Sequence, residues 1–238
     1  MAGETTVSLE PAILGPATMR CLVLATLLLL GLAVPSAPAV SDGRITVSPS
    51  THPWASIGRL NVAGYRLRRH CTAALVAPDL VLTAKHCVNA LGEGQWADPS
   101  AVHFLAGSDR GTFSAHRRAA GYVPIGDEAL LIRLSAPVDL PVIPVDDGPS
   151  PRVGAALSQA GYSGDRGHVL TVDPACGYLG EWQDGRWQHN CEAVSGDSGS
   201  PLLIDRPGGL AIAAIHVGRI GRVGNAEPIS ADRVRAVR

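Results

Sequence analysis

Glycine and proline interrupt this chain too often for long helices to form. There are 27 glycines and 18 prolines among 238 residues, and turn formers at that density favour short strands joined by tight connections. An all-β body is therefore expected, in one large or two small domains. Strand-like runs over 54–62, 71–83, 102–106, 113–119 and 129–134 precede a proline-rich stretch, and runs over 155–162, 169–172, 178–183, 186–191, 201–204 and 210–216 follow it. That stretch, 137–151, contains Pro137, Pro141, Pro144, Pro149 and Pro151 and reads as a connector between two β domains, 45–136 and 152–238. Apolar Ile229, Val234 and Val237, with charges between them, suit one short closing helix over 229–237.

The formal net charge is −1 and the sequence pI is near 6.7, with no basic stripe interleaved with aromatics. Nucleic acid is not an expected partner. Arg66, Arg68 and Arg69 form the densest basic cluster and read as a solvated strand face. Residues 21–34 are apolar or small and uncharged, and Ala37-Pro38-Ala39 supplies small residues at both positions that signal peptidase reads. The expectation is a secretory signal over 1–39 and a mature protein that is secreted or periplasmic. The apolar run is shorter than the roughly 20 residues a membrane span needs, so no stable insertion is expected after cleavage. Glu4 and Glu10 suit the start of a signal poorly, whereas Met19-Arg20 suits it well, so translation is expected to begin at Met19.

Export sets the cysteine arithmetic. Cys21 leaves with the signal, and Cys71, Cys87, Cys176 and Cys191 remain as an even set in an oxidising compartment. Ala77-Pro78-Asp79-Leu80 reads as a hairpin turn, and extending that hairpin puts Cys71 opposite His86, beside Cys87. Asp184-Gly185 reads as a two-residue hairpin with Trp182 opposite Trp187, which brings Cys191 close to Cys176. The expected disulfides are Cys71–Cys87 and Cys176–Cys191. A four-cysteine zinc site is disfavoured because neither pair has the short ligand spacing usual for one, and no metal or other cofactor is expected.

The chemistry concentrates in two motifs. Gly196-Asp197-Ser198-Gly199-Ser200-Pro201 contains a serine in a tight polar turn, and Leu82-Thr83-Ala84-Lys85-His86-Cys87 puts a histidine after a strand and before a cysteine that would pin it. A serine hydroxyl is a weak nucleophile and needs a neighbouring base, a role that imidazole fills near neutral pH. The third member must be a carboxylate that orients the imidazole and balances its charge. Asp127 opens the apolar run Ala129-Leu130-Leu131-Ile132 and qualifies, with Glu128 as rival. Backbone N–H groups of Gly196 and Ser198 can face a developing oxyanion.

In this order and separation, the Cys71 to Cys87 segment, the Asp127 strand and the Gly196 to Pro201 motif resemble chymotrypsin-like serine proteases. Gly-Ser-Pro after the nucleophile, with Ala214-Ile215-His216-Val217-Gly218, resembles the bacterial glutamyl-endopeptidase-like branch. The resemblance implies two six-stranded antiparallel barrels with the site between them. It also selects Asp127 over Glu128 as the triad acid. By the same resemblance the substrate-binding residues are Glu192, Ala193, His216, Val217 and Gly218. Glu192 matches the pocket acid of trypsin-like enzymes, which favours Arg or Lys before the scissile bond, whereas His216 matches a histidine that helps glutamyl-specific relatives.

Three positions depart from the family pattern. Lys85 replaces a small residue beside His86, Val217 replaces a serine that supports the aspartate, and Glu192-Ala193 replaces small hydroxyl residues. Arg44-Ile45 resembles an activation junction after a short pro-segment, 40–44. Cleavage there would free an α-ammonium at Ile45 to pair with Asp197. The expected activity is that of a monomeric endopeptidase acting on polypeptides through an acyl-enzyme. The alternative is a catalytically silent binding protein on the same fold.

Overall fold

The structure, a computed structural model, describes residues 42–64, 68–89 and 95–238. The expected signal segment, its start at Met19, residues 40–41 of the pro-segment and Arg66 lie outside the described residues. Among the described residues no helix is long and apolar enough to cross a membrane.

Seven strands lie before the proline-rich stretch: β1 (Ile45–Val47), β2 (Ile57–Ala63), β3 (Arg68–Ala77), β4 (Leu80–Ala84), β5 (Val102–Ala106), β6 (Ala115–Pro124) and β7 (Ala129–Leu134). Six follow it: β8 (Ala156–Gly161), β9 (Leu170–Glu181), β10 (Trp187–His189), β11 (Pro201–Arg206), β12 (Gly209–Ile220) and β13 (Val223–Pro228), with helix α1 (Ala231–Arg235) last. Strands β2-β3-β4-β7-β6-β5 close into one antiparallel barrel. The order β9-β10-β13-β12-β11-β8 closes a second through the β8–β9 pairing, and β1 is added to its β9 edge. Closure leaves few exposed edges.

Strand β4 and the greater part of β3 and β7 are buried without alternation. One face of these strands fills the first barrel while the other meets the second, so both faces must be apolar. One core cluster runs across the two, joining Leu75, Leu82 and Leu131 to Leu203, Ile212 and Ile215, while a second, with Leu157, Trp187 and Leu202, belongs to the second barrel alone. The proline-rich stretch is part of this packing. Val138 N donates to Pro78 O (2.7 Å) and Ile143 N to Leu75 O (2.9 Å) on the first barrel, while Ile212 N on the second donates to Pro144 O (2.8 Å). Ile143 is fully buried. Helix α1 is capped by the Ser230 side chain, and its Val234 enters the same core.

Both expected disulfides are present, Cys71–Cys87 and Cys176–Cys191. The hairpin at Asp184 differs from expectation by one residue of register: Trp187 faces Glu181, and Trp182 N donates to Arg186 O (2.7 Å). Three residues form the loop because Gly185, at φ 82°, takes the left-handed position that such a loop needs. Trp187 then packs edge-on against Tyr178, with ring centroids 5.0 Å apart, instead of against Trp182. Strands β1 and β13 had no sequence signal, and the runs at 169–172 and 178–183 belong to the one strand β9.

Candidate active site

The two chemical motifs meet where the barrels join. Strand β4 ends at Ala84, and a 3-10 turn over Lys85–Cys87 carries His86 out of the sheet. The disulfide from Cys87 to Cys71 on β3 fixes that turn. From the second barrel, the turn carrying Ser198 reaches the same strand: Thr72 N donates to Ser198 O at 2.9 Å. The turn is also tied to β12, with Gly199 N donating to His216 O (2.8 Å) and His216 N to Ser200 O (2.9 Å). Serine and histidine are thus held against one short segment, Cys71-Thr72.

The carboxylate on His86 belongs to Glu128, not Asp127. Glu128 Oε2 lies 3.0 Å from His86 Nδ1 and 3.4 Å from its backbone N. The cause is register. Ala84 pairs with Ala129, so the residue before Ala129 faces the 3-10 turn, and Lys85 N donates to Glu128 O at 2.6 Å. The side chain of Asp127, one residue further out, is exposed and lines a groove with Asp184, Arg186 and Arg233. The hydrogen bond with His86 holds the Glu128 carboxyl below its ordinary pKa, and the Lys85 charge adds to this. Lys85, which departs from the family pattern beside His86, therefore favours the charged form of the carboxylate on His86. The second barrel instead holds the main chain of this segment: Glu227 on β13 accepts the backbone N–H groups of both Asp127 (2.9 Å) and Glu128.

Gly196 has φ 99°, and a Cβ there would run into Tyr162 O and the His70 ring. Only glycine fits this backbone. The N–H groups of Gly196 and Ser198 are used by no backbone hydrogen bond among the described residues. Asp197 between them is buried, and burial pushes its carboxyl up to about 6 against hydrogen bonds from Val194 N and Ser163 Oγ. Those donors are neutral, and no ion pair of the described residues includes Asp197. In the chain intact at Arg44-Ile45, Ile45 is exposed on β1, and Arg44 is bound to Asp42 (2.6 Å) and Asp165 (2.7 Å).

Of the expected pocket residues, Ala193 and His216 are buried and Val217 and Gly218 are partly exposed, but Glu192 is exposed. Only its backbone is fixed, N donating to Asp173 Oδ2 (2.8 Å). A cation, Arg219, stands against that loop, its Nη1 donating to Ala193 O (2.8 Å). The expected pocket acid is therefore accompanied by a cation on the neighbouring strand. Behind the pocket lies a buried histidine pair. Cys191 N donates to His189 Nδ1 (3.2 Å), which leaves the His189 proton on Nε2 to be donated to His216 Nδ1 (3.1 Å). His216 therefore carries its own proton on Nε2. Burial lowers His189 to about 4 and His216 well below its ordinary value, with the Arg219 charge contributing to both. Neither His189 nor Arg219 stood out in the sequence: the β10–β13–β12 pairing brings His189 to His216, and Arg219 lies three residues beyond His216 on β12.

Among the described residues no cluster of three metal-ligating side chains occurs. The trypsin-like peptidase domain family matches residues 71–212, over half of the chain. The protein belongs to this family of serine endopeptidases. Its fold is also that of solved bacterial proteases. A Glu endopeptidase in complex with MPD superposes with a TM-score of 0.69 at 20% identity, over 83% of this chain and 96% of that chain. The protease Anisep from Arthrobacter nicotinovorans gives 0.64 at 15% identity, over 78% and 93%. The VesB protease of Vibrio cholerae gives 0.65 at 16% identity, over 82% and 66%. A search of curated proteins gave no match.

Proposed function

We propose that the protein is an exported endopeptidase that cleaves polypeptides through an acyl-enzyme, with Ser198 as nucleophile, His86 as base and Glu128 as the acid that orients it. The observation that carries this reading is the 3.0 Å contact from His86 Nδ1 to Glu128 Oε2 beside a turn that presents Ser198 with two free amides. His86 takes the serine proton during attack and returns it to the leaving amine, while Glu128 stabilises the imidazolium between those events. The Gly196 and Ser198 amides bind the oxyanion, a contribution of about 3 kcal/mol per donor in related chemistry. Two disulfides and the apolar segment at 21–34 support export.

The pocket favours an acidic side chain before the scissile bond. Arg219 stands on the loop at Ala193, His216 offers Nε2–H, and Glu192 is turned outward. The fold neighbour described as a Glu endopeptidase agrees with this preference. The test is a serine-directed phosphonate followed by peptide-library profiling. Labelling that vanishes in Ser198→Ala, with glutamate or aspartate selected, is expected. Absence of labelling in folded protein overturns the enzyme reading, and selection of Arg or Lys overturns the pocket assignment.

A further inference from the structure

Beside the nucleophile, on the side of the cleft toward His86, stands a cation that forms no ion pair among the described residues. His86 must protonate the leaving amine, so the departing segment lies on the His86 side of Ser198, over the Cys71–Cys87 disulfide and the start of β3. Adjoining this segment is a groove of about 550 Å³ between Arg59, His70 and the 164–169 loop. His70 joins it to the catalytic turn: its Nε2 meets Tyr162 O (3.2 Å), and Gly164 N on the groove's far wall donates to Ser195 O (2.5 Å).

The charges of this groove do not cancel. Arg44 and Arg166 are matched with Asp42 and Asp165 in one closed network. Arg59 has only a carbonyl, its Nη1 donating to Gly167 O at 2.7 Å. Its Nε is buried and has no hydrogen-bond partner among the described residues. No ion pair of the described residues includes Arg59, Arg68 or Arg69. Burial and the Arg59 charge lower the pKa of His70, so the ring stays neutral and leaves Arg59 as the fixed charge. Arg59 lines the groove, and its two Nη groups make one hydrogen bond with four N–H donors between them, so an incoming carboxylate can pair with those that remain.

We infer that Arg59 selects a substrate side-chain carboxylate, an aspartate or glutamate, within the first three residues after the scissile bond. This rests on the proposed peptidase reading and extends it to the leaving-group side. The test uses quenched fluorescent peptides that share one residue before the scissile bond and carry at least five after it. They differ only in Asp, Asn or Lys at each of the first three positions of that segment.

For the wild-type protein, kcat/KM at one of these positions is expected to favour Asp over Asn by roughly fivefold, and the ratio should shrink toward one as salt is raised. In Arg59→Gln, shown to be folded by its thermal midpoint, the ratio is expected to fall to about one. Equal cleavage of Asp and Asn peptides by the wild type at all three positions overturns the inference. A ratio unchanged in Arg59→Gln also overturns it. If that variant does not fold, Arg59→Lys serves, since a smaller, monodentate cation should weaken the preference. Failure of every peptide to be cleaved would instead overturn the peptidase reading.

Discussion

Glu227 of the second barrel holds the main chain of Glu128 in the first, accepting its backbone N–H and, through the other carboxylate oxygen, that of Asp127. The carboxylate that orients His86 is thus positioned from across the cleft. A carboxylate accepting two amides can be matched by no neutral side chain, because a glutamine would turn an N–H donor toward one of them. In Glu227→Gln, kcat should fall about tenfold with KM little changed, and stability should drop by about 1–3 kcal/mol. Steady-state kinetics beside thermal melting checks both parts.

Glu128 and Asp127 should separate sharply in kinetics. Glu128→Gln keeps the shape but favours the wrong imidazole tautomer, and a loss on the order of 10³ to 10⁴ in kcat is expected. Asp127→Asn alters an exposed side chain and should change kcat by about twofold at most. A large loss in Asp127→Asn with near-native Glu128→Gln would reverse the assignment.

Acid should destabilise the second barrel through its histidine pair. His189 has a folded pKa of about 4, below the ordinary 6.5, so between those values the unfolded chain binds a proton that the folded one does not. The stability it contributes is full above 6.5 and is lost as pH falls through 4, on the order of 3 kcal/mol. Asp197, raised to about 6, has the opposite sign: its contribution is full below its ordinary 3.8 and is lost as pH rises through 6. Denaturant midpoints measured from pH 7 to 4 should therefore fall, and more steeply in Asp197→Asn. A flat profile in that variant would remove the histidine account.

Removing the Cys71–Cys87 disulfide should cost both stability and rate. The bond closes a separation of 16 residues, for which chain entropy alone predicts about 3 kcal/mol. It also pins the turn that carries His86. In the double variant Cys71→Ser, Cys87→Ser, the melting temperature should fall, and kcat should fall even where the protein remains folded. Full activity below the new melting point would show that β4 alone positions the histidine.

Motif and turn chemistry made both disulfides and the two-barrel body legible in the sequence, and pointed to the serine and histidine that the proposed mechanism uses. Register decided the errors. Choosing Asp127 over Glu128 required knowing that Ala84 pairs with Ala129, and a shift of one residue exchanges the two carboxylates. The Trp182 hairpin failed by the same single residue. Strand β13 was invisible because Val223–Pro228 buries Asn225 and Glu227 among its inward residues, which breaks any apolar alternation.

The proline-rich stretch between the barrels has a further consequence. Hinged proteins owe their movement to linkers that touch neither body, whereas residues 138–146 are bonded to both barrels and share their core. The connector therefore works as a clasp, tying each barrel to the other at the point where a hinge would otherwise sit.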